Sequence, residues 1–149
     1  MRIRRIAIAA AAAAAWLAAI GPARAGNPPP LEEIARRYVA AQERAMQKGA
    51  SSADVEAVLA FCTDSFRYVH PAFGAQVDGK DAARKGMLSH LGETSDAVLT
   101  VERGMTSGRN VALDVTTSFR AAESGERVDR RNLIVLGFDG DRIAVRADF

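Results

Sequence analysis

The residues most able to do chemistry are two ring side chains, Tyr68 and His70, in the segment FRYVHPAFG. Phe66, Tyr68 and His70 alternate along this segment, so a β-strand would direct all three side chains to one face. Pro71 interrupts regular pairing immediately afterwards and holds the imidazole at the end of the strand. An imidazole is largely neutral at pH 7 and can remove a proton from carbon or water. We therefore predict a pocket whose candidate base is His70.

A second candidate group lies in the predicted last strand, where Arg146 and Asp148 alternate onto one face. Asp148 could orient the His70 imidazole and stabilise its charged form. Alternatively, Arg146 could neutralise Asp148 in a salt bridge, or it could bind an anionic group on a ligand. Tyr38 stands in the middle of an apolar helical face, where its hydroxyl must find a partner or face a cavity. The alternative for Tyr38 is a core tyrosine with a single hydrogen bond.

Three helices are predicted to position these residues. Apolar residues at three- and four-residue spacing predict a first helix that starts at Leu31 and is stopped by Gly49. Ser51 or Ser52 is expected to cap a second helix, and a third is expected over residues 80–91, after the strand that carries His70.

After Asp96 the apolar period changes to two, which predicts antiparallel strands over 97–103, 111–120, 127–138 and 142–149. Asp139 and Gly140 are expected to form the last hairpin turn. Together the elements predict an α+β domain in which the helices cover one face of the sheet. The residues expected to contact a substrate are Tyr68, Val115, Thr117, Leu133, Val135 and Arg146.

The first 25 residues have the pattern of a cleaved signal peptide. Arg2, Arg4 and Arg5 precede an apolar run over 6–20 that is short for a membrane span, and Ala23-Arg24-Ala25 matches a signal-peptidase site. We expect a flexible lead-in over 26–30, a single domain over 31–149, and a secreted or periplasmic location with no membrane contact after cleavage.

Charge and composition argue against several function classes. The full chain has a net charge of +2, but the predicted signal peptide removes four Lys and Arg and no Asp or Glu, which leaves the mature charge at −2. A basic surface for nucleic acid is therefore not indicated. Cys62 is the single cysteine, so no internal disulfide can form. The two histidines have no carboxylate at ligand spacing, so we expect no metal site.

The sequence resembles the nuclear transport factor 2-like (NTF2-like) superfamily. Within it, the sequence resembles the SnoaL-like group, which contains the polyketide cyclase-like, limonene epoxide hydrolase and ketosteroid isomerase families. The resemblance rests on ARRYVAA in the first helix, YVHPAFG before a helix, and FDGDRIAVRADF as the closing hairpin. It implies a cone-shaped fold in which three N-terminal helices pack on a strongly curved antiparallel sheet.

The resemblance also implies roles for four residues. Tyr38 is similar to the tyrosine that donates to the oxyanion in ketosteroid isomerases, and His70 stands where those enzymes have their general-base aspartate. Tyr68 and His70 are similar to the residues that hold the attacking water in epoxide hydrolases. Asp148 resembles the last-strand aspartate that acts as acid or base in epoxide hydrolases and cyclases.

Two departures limit the chemistry that the resemblance implies. Val115 and Thr117 stand where epoxide hydrolases have an Arg-x-Asp pair, which argues against epoxide opening. Ile134 or Val135 stands where ketosteroid isomerases have a second, protonated acid. We expect a domain that holds a small, largely apolar molecule in a conical pocket. Acid-base chemistry of the isomerase or cyclase kind by His70 and Asp148 would need no cofactor. The alternative is a non-catalytic binding module, or a homodimer formed through the sheet face.

Overall fold

A computed structural model describes residues 30–149. The predicted signal peptide, and the lead-in apart from its last residue, lie outside this range. The described elements, in chain order, are α1 (Leu31–Ala45), α2 (Ser52–Leu59), β1 (Cys62–His70), a single 3-10 turn (Pro71–Phe73), β2 (Ala75–Asp78), α3 (Lys80–Ser89), β3 (Thr94–Ser107), β4 (Asn110–Ala121), β5 (Arg127–Asp139) and β6 (Arg142–Asp148).

All three helices lie on one face of the sheet, as the sequence pattern predicts. Helix α1 packs on β3 and β4, while α3 packs on β1 and β2. The apolar stripe of α1, which includes Ile34, Tyr38 and Val39, is buried against inward-facing residues of β4 such as Leu113 and Val115. Burial of this stripe removes apolar surface from water and so provides the main stabilisation of the helix layer.

The sheet is mixed, which corrects the prediction of an antiparallel sheet. Its strand order is β2-β1-β6-β5-β4-β3, and β1 pairs with β6 in parallel, with Tyr68 beside Arg146. The other neighbouring strands are antiparallel. The alternation of side chains fixes which face a residue occupies, but it carries no information about the direction of a strand that is distant in sequence.

The segment after His70 holds more structure than the predicted loop. A 3-10 turn over Pro71–Phe73 leads into β2, which pairs with β1 as a hairpin. Two helices, and not three, therefore precede the sheet, because α3 follows β2. Strand β2 has only four residues, too few to produce a clear alternating pattern.

The hairpin between β5 and β6 turns at Gly140 and Asp141, one residue later than the predicted Asp139 and Gly140, because Asp139 still pairs with Arg142. Gly140 has a φ of 61°, a left-handed conformation that glycine adopts without steric cost. This turn and a bulge between Gly137 and Phe138 together set the register in which Ile134 pairs with Asp148 and Leu136 with Arg146. No helix within residues 30–149 is long and apolar enough to cross a membrane.

Candidate functional site

A cavity of about 480 Å³ lies between the helix layer and the sheet. Its apolar wall is formed mainly by side chains of α1, α3, β1 and β5, among them Met46, Phe66, Ala83, Met87 and Ile134. Polar side chains face the same space, namely Tyr38, Gln42, Tyr68, His70, His90, Glu93, Thr94, Thr117, Arg130, Asn132, Arg146 and Asp148. A cavity that combines apolar surface with placed polar groups is the usual form of a small-molecule site.

An ion pair between Arg146 and Asp148 forms one wall of this cavity. The guanidinium donates from Nε to Oδ1 and from Nη2 to Oδ2 of the carboxylate, each at 2.7 Å. Only 12% of the Arg146 side chain and 8% of the Asp148 side chain are exposed. The salt bridge between Arg146 and Asp148, predicted as one alternative, is therefore present. It engages both carboxylate oxygens, which makes Asp148 a poor general base.

Tyr38 is joined to the ion pair through its hydroxyl. The oxygen accepts hydrogen bonds from Arg146 Nη1 and from Gln42 Nε2, both at 3.2 Å. Burial raises the pKa of Tyr38, and the opposing effect of Arg146 is smaller. Tyr38 is therefore a neutral phenol at pH 7. Because its oxygen accepts two hydrogen bonds, its own proton remains available for donation.

Tyr68 completes the network from the neighbouring strand. Its hydroxyl donates to Asp148 Oδ2 at 3.4 Å, and its pKa is raised first by burial and then by the charge of Asp148. The Arg146 guanidinium lies 5.7 Å from the ring centroid of Tyr38 and 5.5 Å from that of Tyr68. Burial lowers the pKa of Arg146, but the neighbouring Tyr38 and Asp148 side chains outweigh it and raise the pKa. The cation is therefore fixed between two aromatic faces.

His70 lines the same cavity but does not join this network. Its ring contacts Tyr68 and Phe73 edge-on, with centroid distances of 6.4 Å and 4.4 Å. Its Nδ1 atom is buried and has no hydrogen-bond partner among residues 30–149. The expectation that Asp148 orients His70 is corrected, because the Asp148 oxygens are held by Arg146 and Tyr68 instead.

Three of the residues expected to contact a substrate lie away from the cavity. Leu133 and Val135 occupy the opposite face of β5, where Leu133 is 45% exposed, since Ile134 points inward. Val115 faces inward but is wholly covered by the core. Thr117, two residues further along β4, does reach the cavity. In β5 apolar residues occupy both faces, so the pattern alone could not decide which face was buried.

Six polar lining residues were not predicted from the sequence, namely Gln42, His90, Glu93, Thr94, Arg130 and Asn132. Gln42 interrupts the apolar stripe of α1, and this interruption could have indicated that the residue faces a cavity. Arg130 and Asn132 share a face with Ile134 on β5. They could have been found by extending the inward alternation from Ile134 toward the start of the strand.

The described residues contain no group of three or more His, Cys, Asp or Glu side chains that could hold a metal ion. Cys62 is buried in the core, where burial raises the pKa of its thiol to about 11. The thiol is thus protonated at pH 7, which makes it a weak nucleophile.

Comparisons with known proteins agree with this fold. The family model of the SnoaL-like domain matches residues 35–146. No curated protein matches the sequence. A cystatin-fold protein from Novosphingobium aromaticivorans is 17% identical, with a TM-score of 0.68 and coverage of 82% of this chain and 99% of that chain.

Two other structures are similar at comparable distance. A protein of ketosteroid isomerase-like fold from Catenulispora acidiphila, crystallised with trimethylamine, is 16% identical over 75% of this chain and 83% of that chain, with a TM-score of 0.62. An LEH-like epoxide hydrolase from M. tuberculosis is 22% identical over 78% of this chain and 81% of that chain, with a TM-score of 0.61. Identities this low establish a shared fold and no shared activity.

The buried ion pair leads to a prediction about stability. Replacing Arg146 by Met, or Asp148 by Asn, leaves a poorly solvated group without its partner, and we expect each to lower the free energy of unfolding by about 3–5 kcal/mol. The double variant should lose clearly less than the two single losses combined, which urea denaturation can measure. Arg127→Met, which breaks the exposed pair with Asp129, is the control and should cost less than about 1 kcal/mol. Additive losses in the double variant would show that the two side chains do not interact.

Proposed function

Because the chain belongs to the SnoaL-like domain family, we propose that it binds a small, largely apolar molecule in the cavity beneath its helices. The observation that supports this most directly is the cavity of about 480 Å³, in which apolar side chains such as Phe66 and Met87 surround the polar groups of Tyr38 and His70. Small-molecule sites in proteins usually have this form. We also propose that the sheet is strongly curved and closes over the ligand, which would give the cone shape that the family resemblance implies.

The polar groups of the cavity favour a ligand with a carbonyl or a similar oxygen. Tyr38 has a proton to donate, and it is neutral at pH 7 because burial raises its pKa. Arg146 and Gln42 direct hydrogen bonds at the Tyr38 oxygen, which polarises the phenol and strengthens its donation. The ligand oxygen would therefore lie against Tyr38.

Isomerase- or cyclase-like chemistry follows if the ligand has an acidic C–H bond next to that carbonyl. His70 would remove the proton, and Tyr38 would stabilise the negative charge that develops on the oxygen. In a ligand whose C=C bond is conjugated with the enolate, returning the proton from the imidazolium to the far carbon would move the double bond and complete an isomerisation. Asp148 is assigned a positioning role, since it holds Arg146 and Tyr68 in place.

The proposed setting is outside the cytoplasm. This rests on the predicted signal peptide over 1–25, with the domain over 31–149 released after cleavage.

Ligand binding can be tested with N-phenylnaphthylamine, a neutral dye that fluoresces in apolar sites. Gly86 lines the cavity from α3, and a Cβ added there would meet no atom within 4 Å. We expect the protein to bind the dye saturably and Gly86→Phe to weaken binding at least about tenfold, because the ring occupies the cavity. Gly86→Ala is the matched control and should bind normally. Equal binding by Gly86→Phe and the unaltered protein would place the dye elsewhere.

The proposed chemistry can be tested through proton exchange. β-Tetralone has an apolar body and acidic protons beside its carbonyl, and their replacement by deuterium is followed by NMR. We expect the protein to accelerate this exchange and His70→Gln to reduce the acceleration by about a hundredfold or more. His70→Gln should still bind N-phenylnaphthylamine. Exchange that is accelerated equally by both proteins would remove His70 from the base role, and no acceleration by either would favour binding alone.

A second candidate function is homodimer formation through the face of the sheet opposite the helices. Val98, Met105, Leu133 and Val145 are exposed apolar residues on this face, with fractions of 53, 67, 45 and 40%. Arg103 and Arg131 flank Asp114 in their midst. Pairing would remove these apolar side chains from water, and the charged groups among them already have partners within the chain.

Dimer formation predicts that the molar mass in solution is twice that of one chain. Leu133→Glu would place a charge in the pairing surface and should yield a monomer in analytical ultracentrifugation. Glu123→Gln, which changes an exposed residue in the β4–β5 turn, is the control and should leave the mass unchanged. A monomeric unaltered protein would exclude this candidate.

A further inference from the structure

The two arginines of the cavity differ in their partners. Arg146 is paired with Asp148, while Glu93, the other carboxylate of the lining, lies 2.7 Å from His90 Nδ1. Arg130 also lines the cavity, yet no carboxylate within residues 30–149 lies within salt-bridge distance of it. Arg130 is therefore a cation of the cavity wall that has no carboxylate partner among the described residues.

The position of Arg130 is set by the neighbouring strand. Its guanidinium lies over the ring of Phe119, 5.0 Å from the centroid. Arg130 pairs across the sheet with Thr117, and Asn132 follows two residues later on the same face. No side-chain hydrogen bond within residues 30–149 engages the guanidinium N–H groups, and the Thr117 hydroxyl and the Asn132 amide line the same cavity.

The two arginines of the cavity mark different ends of it. Arg146 is buried in its ion pair, whereas Arg130 is exposed. Arg130 therefore stands where the cavity opens to solvent, and Tyr38 and Arg146 stand at the closed end. A molecule that fills the cavity would have its inner end against Tyr38 and its outer end beside Arg130.

We propose that the ligand is an amphipathic acid, with an apolar body in the cavity and one anionic oxygen group, such as a carboxylate, bound by Arg130 at the opening. The guanidinium presents parallel N–H donors that match the two oxygens of a carboxylate. An acid group at this end also keeps its outward side in water, so that little desolvation opposes binding. This inference rests on the proposed small-molecule function, since it assigns a class of ligand to the same cavity.

Two fluorescent dyes of nearly the same shape can test the assignment. Anilinonaphthalenesulfonate has an anionic sulfonate, and N-phenylnaphthylamine is the same ring system without it. We expect the purified protein to bind the anionic dye about tenfold more tightly than the neutral one. Arg130→Gln should abolish most of that preference and leave neutral-dye binding unchanged, while Arg130→Lys should retain part of it.

Controls separate the Arg130 site from general attraction of anions. Arg127 is an exposed arginine of the same strand and pairs with Asp129. The Arg127→Gln variant should keep the full preference for the anionic dye. Gly86→Phe should weaken both dyes together. Raising the salt concentration should weaken the anionic dye selectively in the unaltered protein, and much less in Arg130→Gln.

The outcomes distinguish the acid-binding role of Arg130 from the small-molecule function on which it rests. Saturable binding of both dyes with equal affinity, or a preference that survives in Arg130→Gln, overturns the acid-binding role of Arg130 and leaves the cavity as a site for neutral molecules. Failure of both dyes to bind the unaltered protein overturns the small-molecule function and this inference with it.

Discussion

The ion pair between Arg146 and Asp148 is the interaction on which the rest of the site depends. A buried guanidinium or carboxylate alone would be costly, and the pair is tolerated because each group satisfies the other with two hydrogen bonds. Their arrangement also fixes both tyrosines, since Arg146 donates to Tyr38 and Asp148 accepts from Tyr68. The polar end of the cavity is therefore rigid before any ligand arrives, which reduces the entropy lost on binding.

The residues of the cavity differ in how many of their polar atoms are already hydrogen-bonded. Asp148 has both oxygens engaged and serves mainly to hold its neighbours, whereas His70 stands apart with an unpartnered nitrogen. A rigid donor beside an uncommitted base is suited to a reaction in which charge develops on an oxygen while a proton leaves a carbon. The same arrangement would also suit a binding protein that recognises a carbonyl, so the difference between the two functions lies in the ligand's acidity.

The fold and most of the polar end of the cavity could be predicted from the sequence, because each depends on local pattern. Alternation placed Tyr68 with His70 and Arg146 with Asp148, and helical spacing placed Tyr38 inward. The faces of β5 could not be decided, because Leu133, Ile134, Val135 and Leu136 are all apolar. The parallel pairing of β1 with β6, and the separation of His70 from Asp148, arise from contacts between residues distant in sequence, which no local pattern encodes.

The place of β6 in the sheet has a consequence for how the molecule acquires its structure. This strand is the last in the described chain, yet it lies between β1 and β5, with Tyr68 beside Arg146. A chain that is still being synthesised lacks an inner strand of its sheet, and forming it requires closing a loop of most of the domain. The polar end of the cavity, which β6 supplies, can therefore form only after residue 148 has been released. Late completion of the sheet would not hinder a chain that crosses a membrane unfolded, because no completed core would have to unfold first.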